Sequence, residues 1–488
     1  MHSDRVARGI PQRVSLFLCR GRCQPSGARR AGPHYTIIYR GRSFLQEQHK
    51  KYGLVTAVAV IVGTVIGSGI FFKSDDILVL TGGNILLGAA AFCVAAFAIV
   101  FGSLAFSELA ALTDKPGGLI TYADEFSTSR AACVVGWFQT FIYYPSLIAV
   151  VSWVVGVYTG LLFGLALPLE GQMLIGFGFC AVCYLYNTFS PRFGGIFQRF
   201  STVAKLLPLI AFALIGVIFG DPTTIIPAGT GRSLASFSWL AALAPIAFSF
   251  DGWIVATSIA HEIRDSKRNL RRALVMGPLF ILLAYLLYFV GVSTLLGPEQ
   301  VMAMGDAHID QLAIQVLGKT GSKLVLIFVI ISVMGTVNGL TLGSIRMPYA
   351  LSLRGMVPGA TKLQQVSKKF DMPLRSGLMA FLLASGWFLL HYLTQKFGLL
   401  PNSDVSEVPV AISYLLYVFF YGKVISLHRS GRIPGKIRGV LVPLLASLGS
   451  LIILYGGAQN PAFFPYALLC ALLLGGGLLY YTRRATRS

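Results

Sequence analysis

The chain has 488 residues, a length that would accommodate several soluble domains. Its composition argues against them: 55% of the residues are hydrophobic and only 12% are charged, where soluble domains carry about 25%. The formal net charge of +21, from 40 Lys and Arg against 19 Asp and Glu, invites a nucleic-acid reading, but base readout needs a folded soluble module, and no stretch is left over to form one.

The first 50 residues are rich in Arg, poor in acids and without apolar periodicity, and they read as a basic, disordered segment. A transit-like segment has a similar composition, and a later start near Leu45 would remove the stretch, since no Met lies between Met1 and Met173. From there on, apolar runs of bilayer-spanning length recur along the whole chain. Twelve candidate spans lie near Leu54–Phe72, Ile85–Ser107, Ala132–Leu162, Met173–Tyr186, Thr202–Phe219, Leu240–Ile259, Ala273–Leu296, Leu324–Leu342, Gly377–Leu393, Pro409–Tyr421, Val440–Tyr455 and Phe463–Tyr481. Met173–Tyr186 is short and is expected to extend at both ends. The polar stretch Ala307–Lys323 either begins the eighth helix or forms a surface helix of its own.

Span 1 contains Val62-Gly63-Thr64-Val65-Ile66-Gly67-Ser68-Gly69-Ile70-Phe71. Glycine is a poor helix former, so Gly67-Ser68-Gly69 predicts an unwound turn in mid-span. Within lipid, unwound backbone is tolerated only where it is buried or lines a cavity. The second half-helix then starts with free N–H groups and the positive end of a dipole, a setting suited to a carboxylate. This points to a transporter of a small carboxylate-bearing solute, with an amino acid as the nearest fit.

Cys180 and Cys183 form a Cys-x-x-Cys inside an apolar span, without a second pair or a nearby His, and read as small buried residues rather than a metal or redox site. No metal and no cofactor is expected. Lys205, near one end of span 5, has an ordinary reading as a lysine that snorkels to the interface. Span 6 carries a second break, Ala244-Pro245-Ile246-Ala247-Phe248-Ser249-Phe250-Asp251-Gly252-Trp253. Asp251 there is either a cap on orphan N–H groups at a kink or part of a functional discontinuous helix, and the two readings are compatible. Five spans separate the breaks, so spans 1–5 and 6–10 would be equivalent halves. The odd repeat length makes those halves inverted. Paired interrupted helices are the best sequence pointer to a transport site.

Basic residues cluster before span 1, after spans 6, 8 and 10, and in the C-terminal tail, all on one side if the spans are even in number. By the positive-inside rule that side is cytoplasmic, which puts both termini in the cytoplasm of a multi-pass cell-membrane protein.

Four motifs carry a family resemblance. Gly63–Phe71 resembles the span 1 motif of amino acid–polyamine–organocation transporters, and Pro116-Gly117-Gly118-Leu119-Ile120-Thr121-Tyr122 the motif after span 2. Phe248–Trp253 with Glu262–Leu270 resembles span 6 and its cytoplasmic extension, and Val337-Asn338-Gly339 with Arg346 resembles span 8 of the L-type amino acid exchangers and their bacterial members. The resemblance implies an all-α polytopic protein of about 12 transmembrane helices in the leucine-transporter fold, with two inverted five-helix repeats plus two extra helices. The expected organisation is a basic cytoplasmic segment, 1–50, and a transporter domain, 51–488. In the latter, repeat one is about 53–220, repeat two about 236–424 and the extra helices about 437–482.

The resemblance also assigns roles. N–H groups of Gly67, Ser68 and Gly69 would hold the substrate carboxylate, and carbonyls of Ile66, Ala247, Phe248 and Phe250 the ammonium. Phe248 matches an aromatic gate, with ordinary packing as the alternative. Asn338 faces the pocket or bonds a neighbouring helix. Lys205 would occupy the position of sodium in sodium-coupled relatives, which implies sodium-independent exchange or proton symport. The linker Phe163–Glu170 lacks the cysteine that joins animal L-type chains to a heavy chain, so no disulfide-linked partner is expected. The expected function is secondary active transport of neutral amino acids by alternating access, without enzymatic activity. Aromatic residues (Tyr143, Tyr144, Phe248, Phe250, Trp253) weigh against a cationic amino acid or polyamine substrate, which Asp251 would otherwise suggest. A nutrient-sensing receptor on the same scaffold is the remaining alternative.

Overall fold

The computed structural model describes residues 53–67, 69–113, 118–225, 236–254, 263–370, 372–400 and 403–485. The basic segment 1–50, Ser68, and the motif residues Pro116, Gly117 and Glu262 lie outside the described residues.

Among the described residues the regular structure is helical. In a bilayer every backbone polar group must be satisfied within the protein, and the helix does this along its own length. Among the described residues, eleven helices are long and apolar enough to cross a membrane, and a shorter apolar helix covers Ser238–Ser249. The protein is an all-α, multi-pass membrane protein.

Span 1 is divided into α1 (Leu54–Val65) and α2 (Gly69–Phe72), followed by a further helix, α3 (Ser74–Thr81). Next come α4 (Ile85–Ala110), α5 (Gly118–Phe126), α6 (Ser129–Trp137) and α7 (Tyr144–Phe163), with a π-helical turn, Phe138–Tyr143, joining the last two into one span. The first half closes with α8 (Leu169–Phe189) and α9 (Pro191–Phe219). α8 extends the short run Met173–Tyr186 at both ends, as expected.

The second half begins with a 3-10 turn, Ser238–Ala242, leading into α10 (Leu243–Ser249). It continues through α11 (Ser266–Leu296), α12 (Pro298–Met304), α13 (His308–Leu353), α14 (Leu374–Lys396) and α15 (Glu407–Arg429). The polar stretch before span 8 does both things considered for it. α13 includes it, but Gly318, at φ 70°, interrupts the helical geometry and separates His308–Leu317 from the spanning part. The last two helices are α16 (Val442–Ala458) and α17 (Phe463–Ala485).

Packing between the halves is reciprocal. α1 packs on α11 while α10 packs on α4; α7 packs on α14 while α13 packs on α8; α9 packs on α11 while α15 packs on α4. Swapping each helix for the one five spans away reproduces the set, the relation expected of two five-helix repeats. The interrupted helices lie inside this arrangement, whereas α8, α9, α14, α16 and α17 present exposed residues such as Leu174, Val203, Leu382, Leu448 and Leu472 outward. That distribution suits lipid-facing helices.

Candidate functional site: two broken helices in contact

Helix α1 stops at Val65, Ile66 turns to extended backbone (φ −63°, ψ 108°), and helical geometry resumes at Gly69. Helix α10 stops at Ser249, and Gly252, at φ 99°, takes a left-handed turn that L side chains rarely adopt. Both interruptions therefore fall where glycine and the preceding sequence place them.

The two breaks touch backbone to backbone. A Cβ on Gly69 would come within 2.7 Å of Ser249 Cα, and one on Gly252 within 3.3 Å of the Thr64 carbonyl oxygen. Each glycine thus belongs to one broken helix and makes room for the other. Gly67 is confined from a third direction, since a Cβ there would lie 2.8 Å from Thr336 Oγ1 on α13.

Tyr285, on α11 and fully buried, joins the ends of both first half-helices. Its hydroxyl donates to the Ser249 carbonyl at 2.9 Å and also lies 3.3 Å from the Val65 carbonyl. Carbonyls at a helix C-terminus lack internal partners, so a buried donor between them holds the two ends together. The sequence reading missed Tyr285. The available signal was a hydroxyl in the middle of an apolar span, which has to find a polar partner.

Asp251 accepts a hydrogen bond from the Tyr143 hydroxyl. Tyr143 ends the π-helical turn between α6 and α7, and such turns often mark functional positions. Phe248 is buried with its ring edge-on to Phe72, centroids 5.6 Å apart. The Phe248 carbonyl already accepts the Asp251 N–H at 3.0 Å. Phe250 points elsewhere, into the core against Tyr285 and Phe92. Ile66 and Ala247 are fully buried beside the breaks.

Two predicted residues lie apart from the contact between the breaks. Lys205 does not snorkel: it is 1% exposed, and its ammonium donates to the Gly63 carbonyl at 2.7 Å. It thereby ties α9 to the half of span 1 that precedes the break. Asn338 follows the interhelical alternative. Its amide nitrogen donates to the Gly194 carbonyl (3.0 Å) and Gln198 Oε1 (2.8 Å), and its amide oxygen accepts from Tyr186 and Asn187, both at 2.9 Å. The two donors and two acceptor positions of a primary amide are then all engaged.

Cys180 and Cys183 are buried free thiols, and Cys183 bonds the hydroxyls of Tyr186 and Thr341. Among the described residues no group of His, Cys, Asp and Glu side chains is arranged to hold a metal ion.

A pair of interrupted helices crossing through glycines inside a helical membrane protein defines a transporter-type site. The amino acid permease family model matches residues 52–474, and the chain belongs to that family, within the amino acid–polyamine–organocation superfamily. Its relatives include the serine/threonine exchanger SteT of Bacillus subtilis (strain 168), 28% identical over 414 residues, covering 83% of this chain and 90% of the relative. The b(0,+)-type amino acid transporter 1 of Mus musculus is 24% identical, covering 88% of this chain and 87% of its own length. The large neutral amino acids transporter small subunit 2 of Homo sapiens is 24% identical, covering 81% and 73%.

Proposed function

We propose that this protein carries neutral amino acids, as zwitterions, across the cell membrane by alternating access, through sodium-independent exchange or proton symport. The observation that carries this reading is the contact between the two broken helices. It brings the N-terminal end of α2 and the C-terminal end of α10 together, so partial charges of opposite sign face one small volume. An amino acid carries both a carboxylate and an ammonium on one carbon. In this reading the N–H groups of Gly67, Ser68 and Gly69 take the carboxylate, carbonyls of Ile66, Ala247, Phe248 and Phe250 take the ammonium, and Phe248 closes over the substrate.

The neutral preference rests on Asp251, whose carboxylate already accepts the Tyr143 hydroxyl, and on the aromatic residues around it. The names of two relatives, a serine/threonine exchanger and a large neutral amino acids transporter, fit the same preference. Sodium independence rests on the Lys205 ammonium, held against the Gly63 carbonyl. The basic linkers favour cytoplasmic termini. The linker Phe163–Glu170 contains no cysteine, which supports a carrier without a disulfide-linked heavy chain.

Uptake of labelled amino acids into proteoliposomes tests the proposal, with and without sodium and proton gradients and with unlabelled amino acid inside. Serine, threonine, alanine and leucine should compete with the substrate better than arginine or lysine. The opposite order would reassign Asp251 to cation selectivity. Binding without translocation would make the protein a sensor on a carrier scaffold.

A further inference from the structure

On the face of the breaks away from Lys205, a second buried lysine has no role in the reading above. Lys73 directly follows α2, and its side chain is 2% exposed. Its ammonium pairs with Glu407 at 2.6 Å, Asp404 at 2.8 Å and Asp76 at 3.0 Å. Asp404 and Glu407 belong to the start of α15 and the loop before it, so one ammonium joins the second half of span 1 to span 10. The same ammonium lies 5.2 Å from the Phe72 ring centroid and 6.0 Å from that of Phe248. The ion pairs therefore sit beside the Phe72–Phe248 aromatic contact.

More carboxylates than cations surround this point. Asp75 and Asp306 line a cavity of about 110 Å³ with Lys73, Asp76, Asp404 and Leu400. Among the described residues, Lys73 is the sole Lys or Arg lining that cavity. The imidazole of His391, from α14, is fully buried nearby and edge-on to Trp153, with both ring nitrogens unpartnered. His308, at the start of α13, bonds the Gly305 carbonyl through Nδ1 and leaves Nε2 unpartnered. Tyr158 and Tyr288 face the cluster near Asp75, and Tyr466 faces it near Asp404.

We propose that the Lys73 cluster is the latch of the outer gate, and that closing the gate buries its surplus carboxylates in protonated form. The proposal builds on the alternating-access reading. A substrate arriving from the side opposite the basic linkers has to part α2 and α10 from α15, and the Lys73 ion pairs cross that seam. Opening hydrates the cluster; closing strips water from more negative charge than one ammonium can balance, which favours uptake of protons.

Titration of the groups outside the spans agrees. Burial pushes Asp75 up to about 6 and Asp76 up to about 7, against the attraction of Lys73. Asp404 is also disfavoured by burial, but Lys73 outweighs this and holds it below the usual carboxylate range. Burial opposes the charge on Lys73 too, and Asp404, Asp76 and Glu407 together hold its ammonium well above the usual range. The sign follows from the two raised acids. A hydrated, open gate has ordinary carboxylates that titrate near 4, so the closed gate binds more protons above that pH. Closure is favoured in acid, and that advantage is lost as pH rises to about 6 for Asp75 and about 7 for Asp76.

The test reads access to the cavity rather than transport. Leu400→Cys, at a buried cavity-lining position, is labelled with a charged thiol reagent in nanodiscs, in protein whose native cysteines are replaced. The exposed position Phe397→Cys corrects for thiol ionisation. The corrected rate should rise at least about tenfold between about pH 5 and about pH 8, since a proton bound only by the closed gate weights closure about tenfold for each pH step between the open and closed titrations. Lys73→Gln should label rapidly at both pH values, Lys73→Arg should restore slow labelling in acid, and Asp76→Asn should weaken the pH dependence. A corrected rate that does not change with pH overturns the proposal. So does a folded Lys73→Gln variant that labels no faster than its parent. Should Lys73→Gln fail to fold, Asp76→Asn decides: an unaltered pH dependence overturns the latch. If labelling responds as expected but proteoliposomes show no uptake, the latch stands and the transport reading fails. Uptake with unresponsive labelling removes the latch alone.

Discussion

Gly69 shows how much depends on the absence of one side chain. A Cβ at this position already meets Ser249 Cα at 2.7 Å, so Gly69→Leu has to push the two broken helices apart. Overpacking of this kind costs about 1–3 kcal/mol, and its effect should fall on the proposed substrate site rather than on membrane insertion. The variant is expected to reach the membrane in normal amounts and to bind no measurable substrate in a scintillation proximity assay; undiminished binding would remove the site from this crossing. Tyr285→Phe is a gentler version of the same experiment. It keeps the ring packed and strands the Ser249 carbonyl, a loss of about 1–3 kcal/mol when a buried acceptor goes unpaired. Substrate affinity should fall by roughly 5- to 150-fold with the folded yield preserved, and isothermal titration of the purified protein reads this directly.

At the scale of the element, the breaks were legible because glycine leaves a strong mark on an apolar helix. Gly67, Gly69 and Gly252 announce interruptions whatever surrounds them. The partners of those interruptions were not legible. Tyr285 lies far from both breaks in sequence, and its role depends on where α11 packs. The Lys73 cluster was hidden for the same reason: Lys73 and Glu407 are 334 positions apart, and composition alone makes such residues ordinary loop charges. Asn338 gave an ambiguous signal, since an amide in a span can face a cavity or a neighbouring helix. Its four hydrogen bonds, to residues of α8 and α9, give the ambiguity a measurable form. Asn338→Ala should lower the thermal stability of the detergent-solubilised protein, through about 1–3 kcal/mol for each buried partner left unpaired, while affinity per folded molecule changes little. Lost affinity at unchanged stability would instead return Asn338 to the substrate pocket.

For the whole molecule, the two buried lysines sit on opposite sides of one interrupted helix. Lys205 fixes the first half of span 1 through Gly63, and Lys73 fixes the residues after its second half to span 10. If the Lys205 ammonium supplies the charge that sodium supplies elsewhere, initial uptake should be the same in sodium and in choline buffer. A steep dependence on sodium would defeat that expectation. The orientation also has a direct test in intact cells. A membrane-impermeant thiol reagent should label Phe397→Cys and miss Lys368→Cys, both exposed positions, until the membrane is permeabilised. Reversed labelling would place the Lys73 cluster on the cytoplasmic face and make its latch an inner one.

The crossing of the two broken helices also limits how this scaffold can be re-engineered. Its contact surface is main chain against main chain, and the positions that permit it, Gly69 and Gly252, accept no larger residue without displacing Ser249 or Thr64. If the cargo is held there as proposed, a grip made of peptide groups is indifferent to the cargo's side chain and offers few substitutions with which to retune it. Directed evolution toward a new cargo should therefore leave the crossing untouched and collect its productive changes outside it. Libraries concentrated on the interrupted segments should yield mostly inactive protein.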